Sequence, residues 1–184
     1  MHGIIHLELQ KFVTERYGEQ AWQELTRKAE LGEEIFTPLR AYPDDLMFRL
    51  VRAAVELTGT PAQQILEAFG EHLVGGYLAL YGNLLKPDWR TIDVIEHTEE
   101  TIHRVVRMRQ PGAEPPLLKA MRTDRDEVVL FYDSPRRLCA VARGIGRGVA
   151  RHFGEAIVVD ERKCVHRGDP GCVISYKLVS LPAQ

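Results

Sequence analysis

Two stretches of this chain carry side chains suited to chemistry. The first is Leu130-Phe131-Tyr132-Asp133-Ser134-Pro135-Arg136, which follows Asp126 to Val129 and reads as the end of a strand. Side chains alternate across a strand, so Tyr132, Ser134 and Arg136 share one face while Asp133 and Pro135 point away. Two hydroxyls and a guanidinium in a row can grip carboxylates, the guanidinium through its two-pronged fork. Rows of this kind also occur on strands that merely face water. The second is His103, flanked by Ile102 and Val106 on the inner stripe of a helix. A neutral imidazole on a rigid helix is a good axial ligand for haem iron, and the gripped carboxylates would then be haem propionates. A histidine among apolar neighbours also serves as plain core. The corner Pro115-Pro116 follows shortly and can pack against a flat ring. Of the histidines at 2, 6, 72, 97, 152 and 166, only His166 has a comparable setting.

The cysteines form a further constellation. Cys164 and Cys172 flank the turn Gly168-Asp169-Pro170-Gly171, so a hairpin can bring them together, and Cys139 begins the helix after the strand. Thiolates favour zinc, and a structural zinc usually takes four ligands. Three unrelated buried cysteines are the plainer alternative. Without zinc, oxidants could join two of them as a disulfide. The run Gly144-Ile145-Gly146-Arg147-Gly148 lacks the spacing of a dinucleotide-binding loop and the acidic strand that should follow it. Each glycine costs a helix roughly 0.5–1 kcal/mol relative to alanine, so three together point to close packing against the backbone.

The elements that must position these residues can be read in order. Helices are expected from residue 3 to 17, from about Glu19 to Leu31, and from Pro43 or Asp44 to Leu57. Thr60-Pro61-Ala62-Gln63 has the form of a helix start, a hydroxyl cap followed by proline, for a fourth helix reaching about Tyr81. Asp88 can cap a fifth, running to about Arg109, with Ile92, Ile95, Glu99, Ile102, His103 and Val106 on its stripe. Pro111, Gly112, Pro115 and Pro116 then break the chain. Strands follow at Leu117 to Met121 and Glu127 to Tyr132, around the turn Thr123-Asp124-Arg125-Asp126. A helix from Leu138 to Phe153 comes next, then strands at Ala156 to Val159 and Cys172 to Leu178.

The 184 residues suffice for one domain or two closely packed subdomains with a real core. Hydrophobic and charged contents of 45% and 27% are those of an ordinary globular protein. A net charge of -2 gives no basic field for nucleic acid, and Arg104, Arg107 and Arg109 read as a solvated helix face. No apolar run approaches the roughly 20 residues of a membrane helix. The first residues lack a signal-peptide layout, and an odd count of three cysteines argues against a secreted disulfide framework. A cytoplasmic location is expected.

Taken together, the chain resembles the H-NOX family, the haem–nitric oxide/oxygen binding module of bacteria and of soluble guanylate cyclase. The resemblance covers nearly the whole chain, with landmarks at Met1-His2-Gly3-Ile4-Ile5, Arg16-Tyr17-Gly18-Glu19, Ala41-Tyr42-Pro43-Asp44-Asp45 and Ala68-Phe69-Gly70-Glu71. The family's axial histidine falls on His103, its haem-distorting proline on Pro116, and its Tyr-x-Ser-x-Arg propionate motif on Tyr132, Ser134 and Arg136. The resemblance implies one α+β domain over 1–184, with haem b buried inside. A helical N-terminal subdomain, about 1–110, would pack on a C-terminal antiparallel sheet with helices, about 111–184. It places the distal pocket at Ile5, Leu9, Leu73, Tyr77 and Val141. O2-binding relatives carry a tyrosine near the last of these. An apolar wall implies a sensor of nitric oxide, and of carbon monoxide, that excludes O2. Gas binding would weaken the bond to His103, let the fifth helix and Pro116 relax, and shift the subdomains. No output enzyme follows in the chain, so the implied reader is a separate sensor histidine kinase or cyclic-di-nucleotide enzyme, and the chain itself is not an enzyme. Some relatives carry a Cys, His, Cys, Cys zinc set. Cys139, Cys164 and Cys172 match its cysteines, Glu161 falls at its histidine, and His166 is the natural substitute on the strand face of Cys164. A zinc- and thiol-based redox module without haem is the rival reading.

Overall fold

The computed structural model describes residues 1–32, 35–38, 40–109 and 112–180. The expected break at Pro111 and part of the loop between the second and third helices lie outside the described residues. Four helices come first, α1 (Gly3–Tyr17), α2 (Glu19–Lys28), α3 (Asp44–Thr58) and α4 (Ala62–Tyr81). Leu9, Phe12 and Val13 of α1, Trp22 and Leu25 of α2, Met47 and Leu50 of α3, and Phe69 and Leu73 of α4 bury their stripes in one apolar core. The third helix ends on Gly59 in the left-handed region, whose N–H caps the Val55 carbonyl. The expected hydroxyl cap on α4 is not made. Pro61 is the N-cap, and the side chain of Thr60 makes no capping bond to α4. A proline can cap because its fixed φ suits the entry to a helix.

The long fifth helix is three pieces, α5 (Thr91–Thr98), a π-turn (Glu99–His103) and α6 (Arg104–Arg109). It begins after Arg90 rather than at Asp88, because Asp93 reaches back to accept the Arg90 N–H at 2.9 Å. Strands β1 (Leu117–Asp124), β2 (Glu127–Asp133), β3 (Ala156–Lys163) and β4 (Cys172–Val179) form one antiparallel sheet in the order β1-β2-β4-β3. Period-two alternation puts Val128, Leu130 and Tyr132 of β2 with Ile174 and Tyr176 of β4 in one core, together with Ile92 and Ile95 of α5.

Helix α7 (Cys139–His152) lies between α4 and the sheet. Its glycines are what allow this. A Cβ on Gly144 or Gly148 would collide with the α4 backbone at Glu67 or Glu71, and one on Gly146 would enter the Tyr176 ring. Gly70 of α4 answers from the other side, against Val141 and Ile145. Across that seam Arg143 is buried between Glu67 of α4 and Glu161 of β3.

Candidate functional site

A cavity of about 270 Å³ opens between these layers. One wall comes from α1 and α4, with Ile5, Leu73 and Tyr77. A second comes from α7, with Val141 and Ile145. His103 and Ile102 face them from the end of the π-turn, with Pro115 and Pro116 beside them. Tyr132, Ser134 and Arg136 also line it. The residues expected to hold haem and gas therefore meet around one space, with the exception of Leu9. That side chain packs in the helical core instead and is not part of the lining.

The propionate-type row is assembled differently from a simple strand face. β2 ends at Asp133, and the chain then turns, with the Arg137 N–H donating to the Ser134 carbonyl at 3.1 Å. Tyr132 is buried on the strand, and burial pushes its phenol up to about 12. Ser134 Oγ accepts the Arg136 N–H at 3.3 Å. The Arg136 guanidinium meets Asp44 of α3 at 2.8 Å and donates to the Glu114 carbonyl at 2.6 Å. Asp44 in turn takes the α-amino group of Met1 at 2.7 Å. Burial would raise the Asp44 carboxyl, but hydrogen bonds from Met1 and Arg136 outweigh it and hold the group below its ordinary value.

Burial lowers His103 below an ordinary histidine, which favours the uncharged ring, although Glu99 pulls the other way. Its Nδ1 lies 3.0 Å from Glu99 Oε2. A proton on Nδ1 shared with that carboxylate leaves the lone pair on Nε2, the state a metal ligand needs. The opposite wall offers no such donor at Ile5, Leu73 or Val141. Tyr77 is the polar exception, its phenol pushed up by burial, with no hydrogen bond from its hydroxyl among the described residues.

The three cysteines also meet. Sulfurs of Cys139, Cys164 and Cys172 and an oxygen of Glu161 all lie within 4.8 Å of one another. Cys139 and Cys164 Sγ are 3.7 Å apart. His166 is not with them. The chain leaves extended geometry at Cys164 and enters a 3-10 turn (Val165–Arg167), so alternation fails and the imidazole turns outward to the Arg137 carbonyl at 2.8 Å. Glu161 occupies the place expected of His166, held by Arg143 and Arg167. Burial raises the Cys139 and Cys164 thiols. Two participants, Glu99 and Asp44, were not singled out from the sequence. The four-residue spacing of Glu99 to His103 was the available signal.

A model of the haem-NO-binding family matches residues 2–161. The chain belongs to the H-NOX family. Domains of this family are haem-binding gas sensors. An H-NOX protein from S. oneidensis solved in its Fe(II)NO state superposes with a TM-score of 0.91 at 25% identity, covering 98% of this chain and 100% of that one. Among curated proteins, soluble guanylate cyclase gcy-35 of Caenorhabditis elegans is 29% identical over 177 residues, which is 90% of this chain and 25% of that protein. Soluble guanylate cyclase 89Da of Drosophila melanogaster is 23% identical over 177 residues, 93% of this chain and 26% of that protein. This H-NOX chain thus spans about a quarter of the length of those relatives. The helices and four-stranded antiparallel sheet match the H-NOX architecture throughout. Among the described residues no helix is long and apolar enough to cross a membrane.

Proposed function

We propose that this H-NOX chain takes nitric oxide, and carbon monoxide, at ferrous haem, does not hold O2, and signals to a separate protein. The supporting observation is the His103 imidazole, set in a largely apolar cavity that also carries the Tyr132 and Ser134 hydroxyls and the Arg136 guanidinium. That donor set fits haem b, with one nitrogen ligand for iron, apolar lining for the ring and hydrogen bonds for two acid tails. When bound, the haem supplies the ferrous iron at which a diatomic gas is held. His103 would ligate it, Tyr132, Ser134 and Arg136 would hold the propionates, and Pro116 would press on the ring. Ile5, Leu73 and Val141 offer no hydrogen bond to a polarised gas, which disfavours O2 more than nitric oxide; of the expected distal residues, Tyr77 can donate. The reader of the signal would be a sensor histidine kinase or a cyclic-di-nucleotide enzyme, and the chain would act in the cytoplasm. His103→Gly reconstituted with haem tests the assignment. We expect the axial-ligand spectrum to be lost and to return on adding free imidazole. A spectrum identical to the parent would assign the ligand elsewhere.

A second function is favoured by the sulfur cluster. Zn–S bonds of about 2.3 Å in a tetrahedron put sulfurs roughly 3.8 Å apart, close to the Cys139–Cys164 spacing. We propose zinc held by Cys139, Cys164 and Cys172, with Glu161 in place of His166 as the fourth ligand, and thiol oxidation as a second input. A bound cation would lower the raised thiols, since a coordinating thiol is deprotonated. Zinc content of the purified protein and of Cys164→Ser decides it, with loss expected in the variant and equal content contradicting the assignment.

A further inference from the structure

We infer that Glu99 is a positioning residue for the axial histidine, fixing which nitrogen of His103 can bind iron, raising its donor strength, and tying the ring to β1. The inference rests on the reading of His103 as the haem ligand.

Three groups converge on this one carboxylate. Oε2 lies 3.0 Å from His103 Nδ1 and accepts the Leu118 backbone N–H at 3.2 Å. Oε1 pairs with the Arg107 guanidinium. Both partners are sheltered, with side-chain exposures of 14% for His103 and 24% for Glu99, so water only partly screens the contact. The two residues are the first and last of the π-turn. Such turns cost stability relative to a regular helix and recur at functional sites. The Arg107 guanidinium and the Leu118 N–H on the same carboxylate suit a charged group facing the ring.

A charged carboxylate accepts the Nδ1 proton more strongly than a neutral carbonyl does. The imidazole gains partial imidazolate character, and Nε2 becomes a stronger donor. Arg107 draws on the same carboxylate and moderates the effect. The shared oxygen gives the ring a mechanical link as well. Any displacement of His103 is felt by Glu99 and passed to Leu118 at the start of β1, the edge strand that pairs with β2 and hence with the Tyr132 row. His103 and the row of Tyr132 are thus joined through Glu99 and the β1–β2 pairing.

The test is the iron–histidine stretching band in resonance Raman spectra of the ferrous, unliganded protein. Glu99→Gln keeps an acceptor oxygen and removes its charge, and the band should move to lower frequency. Arg107→Gln removes the competing cation, and the band should move higher. The nitric oxide complex of Glu99→Gln should be more completely five-coordinate than the parent's. A band unmoved in both variants overturns the inference, leaving Glu99 a structural helix–strand tie. If Glu99→Gln retains no haem, the nitrogen NMR shifts of His103 in haem-free protein still decide. The parent should be the Nδ1-protonated tautomer and Glu99→Leu a mixture, and a mixture in the parent overturns the proposal. Failure of the parent itself to bind haem would instead refute the ligand reading beneath it.

Discussion

His6 is fully buried, its ring stacked on Phe36 at 4.6 Å and tilted against Tyr42 at 5.3 Å, and neither ring nitrogen makes a well-formed hydrogen bond to a described residue. Burial drives it down to about 4, against a weaker pull from the His2 backbone. Above pH 6.5 the ring is neutral in both folded and unfolded chains. As pH falls from 6.5 towards 4, the unfolded chain takes up a proton that the folded one refuses, so stability is lost across that window. The loss is on the order of 2–3 kcal/mol. His6→Phe should keep its stability at pH 7.5 and lose much less on moving to pH 4.5, measured by urea unfolding at both values. An unchanged difference between the two pH values would contradict this. At this scale some residues were legible from type and spacing and others were not. Tyr132, Ser134 and Arg136 were legible only beside His103 and the family's motif, since such a row also suits a strand that faces water, and the chain turns after Asp133. Glu161 fell at the right position, but His166 was expected beside Cys164 because alternation was extended past that residue, where a 3-10 turn begins. Glu99 was seen only as a place on a helix stripe, since its importance lies in what a tertiary fold brings to it.

Among the elements, the α4–α7 crossing was the most readable feature and the helix starts the least. Three glycines in one helix implied a close neighbour, and there are two, α4 against Gly144 and Gly148 and the sheet against Gly146. Gly144→Ala should cost about 1–3 kcal/mol through overpacking, despite its better helix propensity. Gly75 of α4 has open space around it, so Gly75→Ala should stabilise by about 0.5–1 kcal/mol. Thermal unfolding of both variants checks the pair, and equal signs would mean that the crossing is looser than described. The start of α5 was misplaced because Asp88 and Asp93 are equivalent as caps in sequence, and only the bond of Asp93 back to Arg90 separates them. The π-turn left no trace in the apolar periodicity, because one extra residue in a turn barely rotates a stripe already several residues wide.

Over the whole molecule, a helical core and a sheet core lie on either side of the cavity. The change of texture after residue 109, from helical periodicity to strand alternation, was plain in the sequence. The chain of contacts from Met1 through Asp44 to Arg136 was not, since it joins residues far apart along the chain. It stitches α3 to the turn after β2 beside the proposed propionate site. Arg136→Ala should therefore release haem to apomyoglobin roughly 10- to 100-fold faster, the equivalent of a charged hydrogen bond or two. An unchanged transfer rate would mean that Tyr132 and Ser134 suffice.

The most direct measurement is the visible absorption spectrum of the haem-reconstituted ferrous protein under argon, then air, then nitric oxide. The account predicts a Soret band that is the same under argon and air and shifts on adding nitric oxide. A chain that stays colourless after reconstitution would contradict the site itself, and an oxygenated spectrum in air would contradict the gas preference assigned to Ile5, Leu73 and Val141.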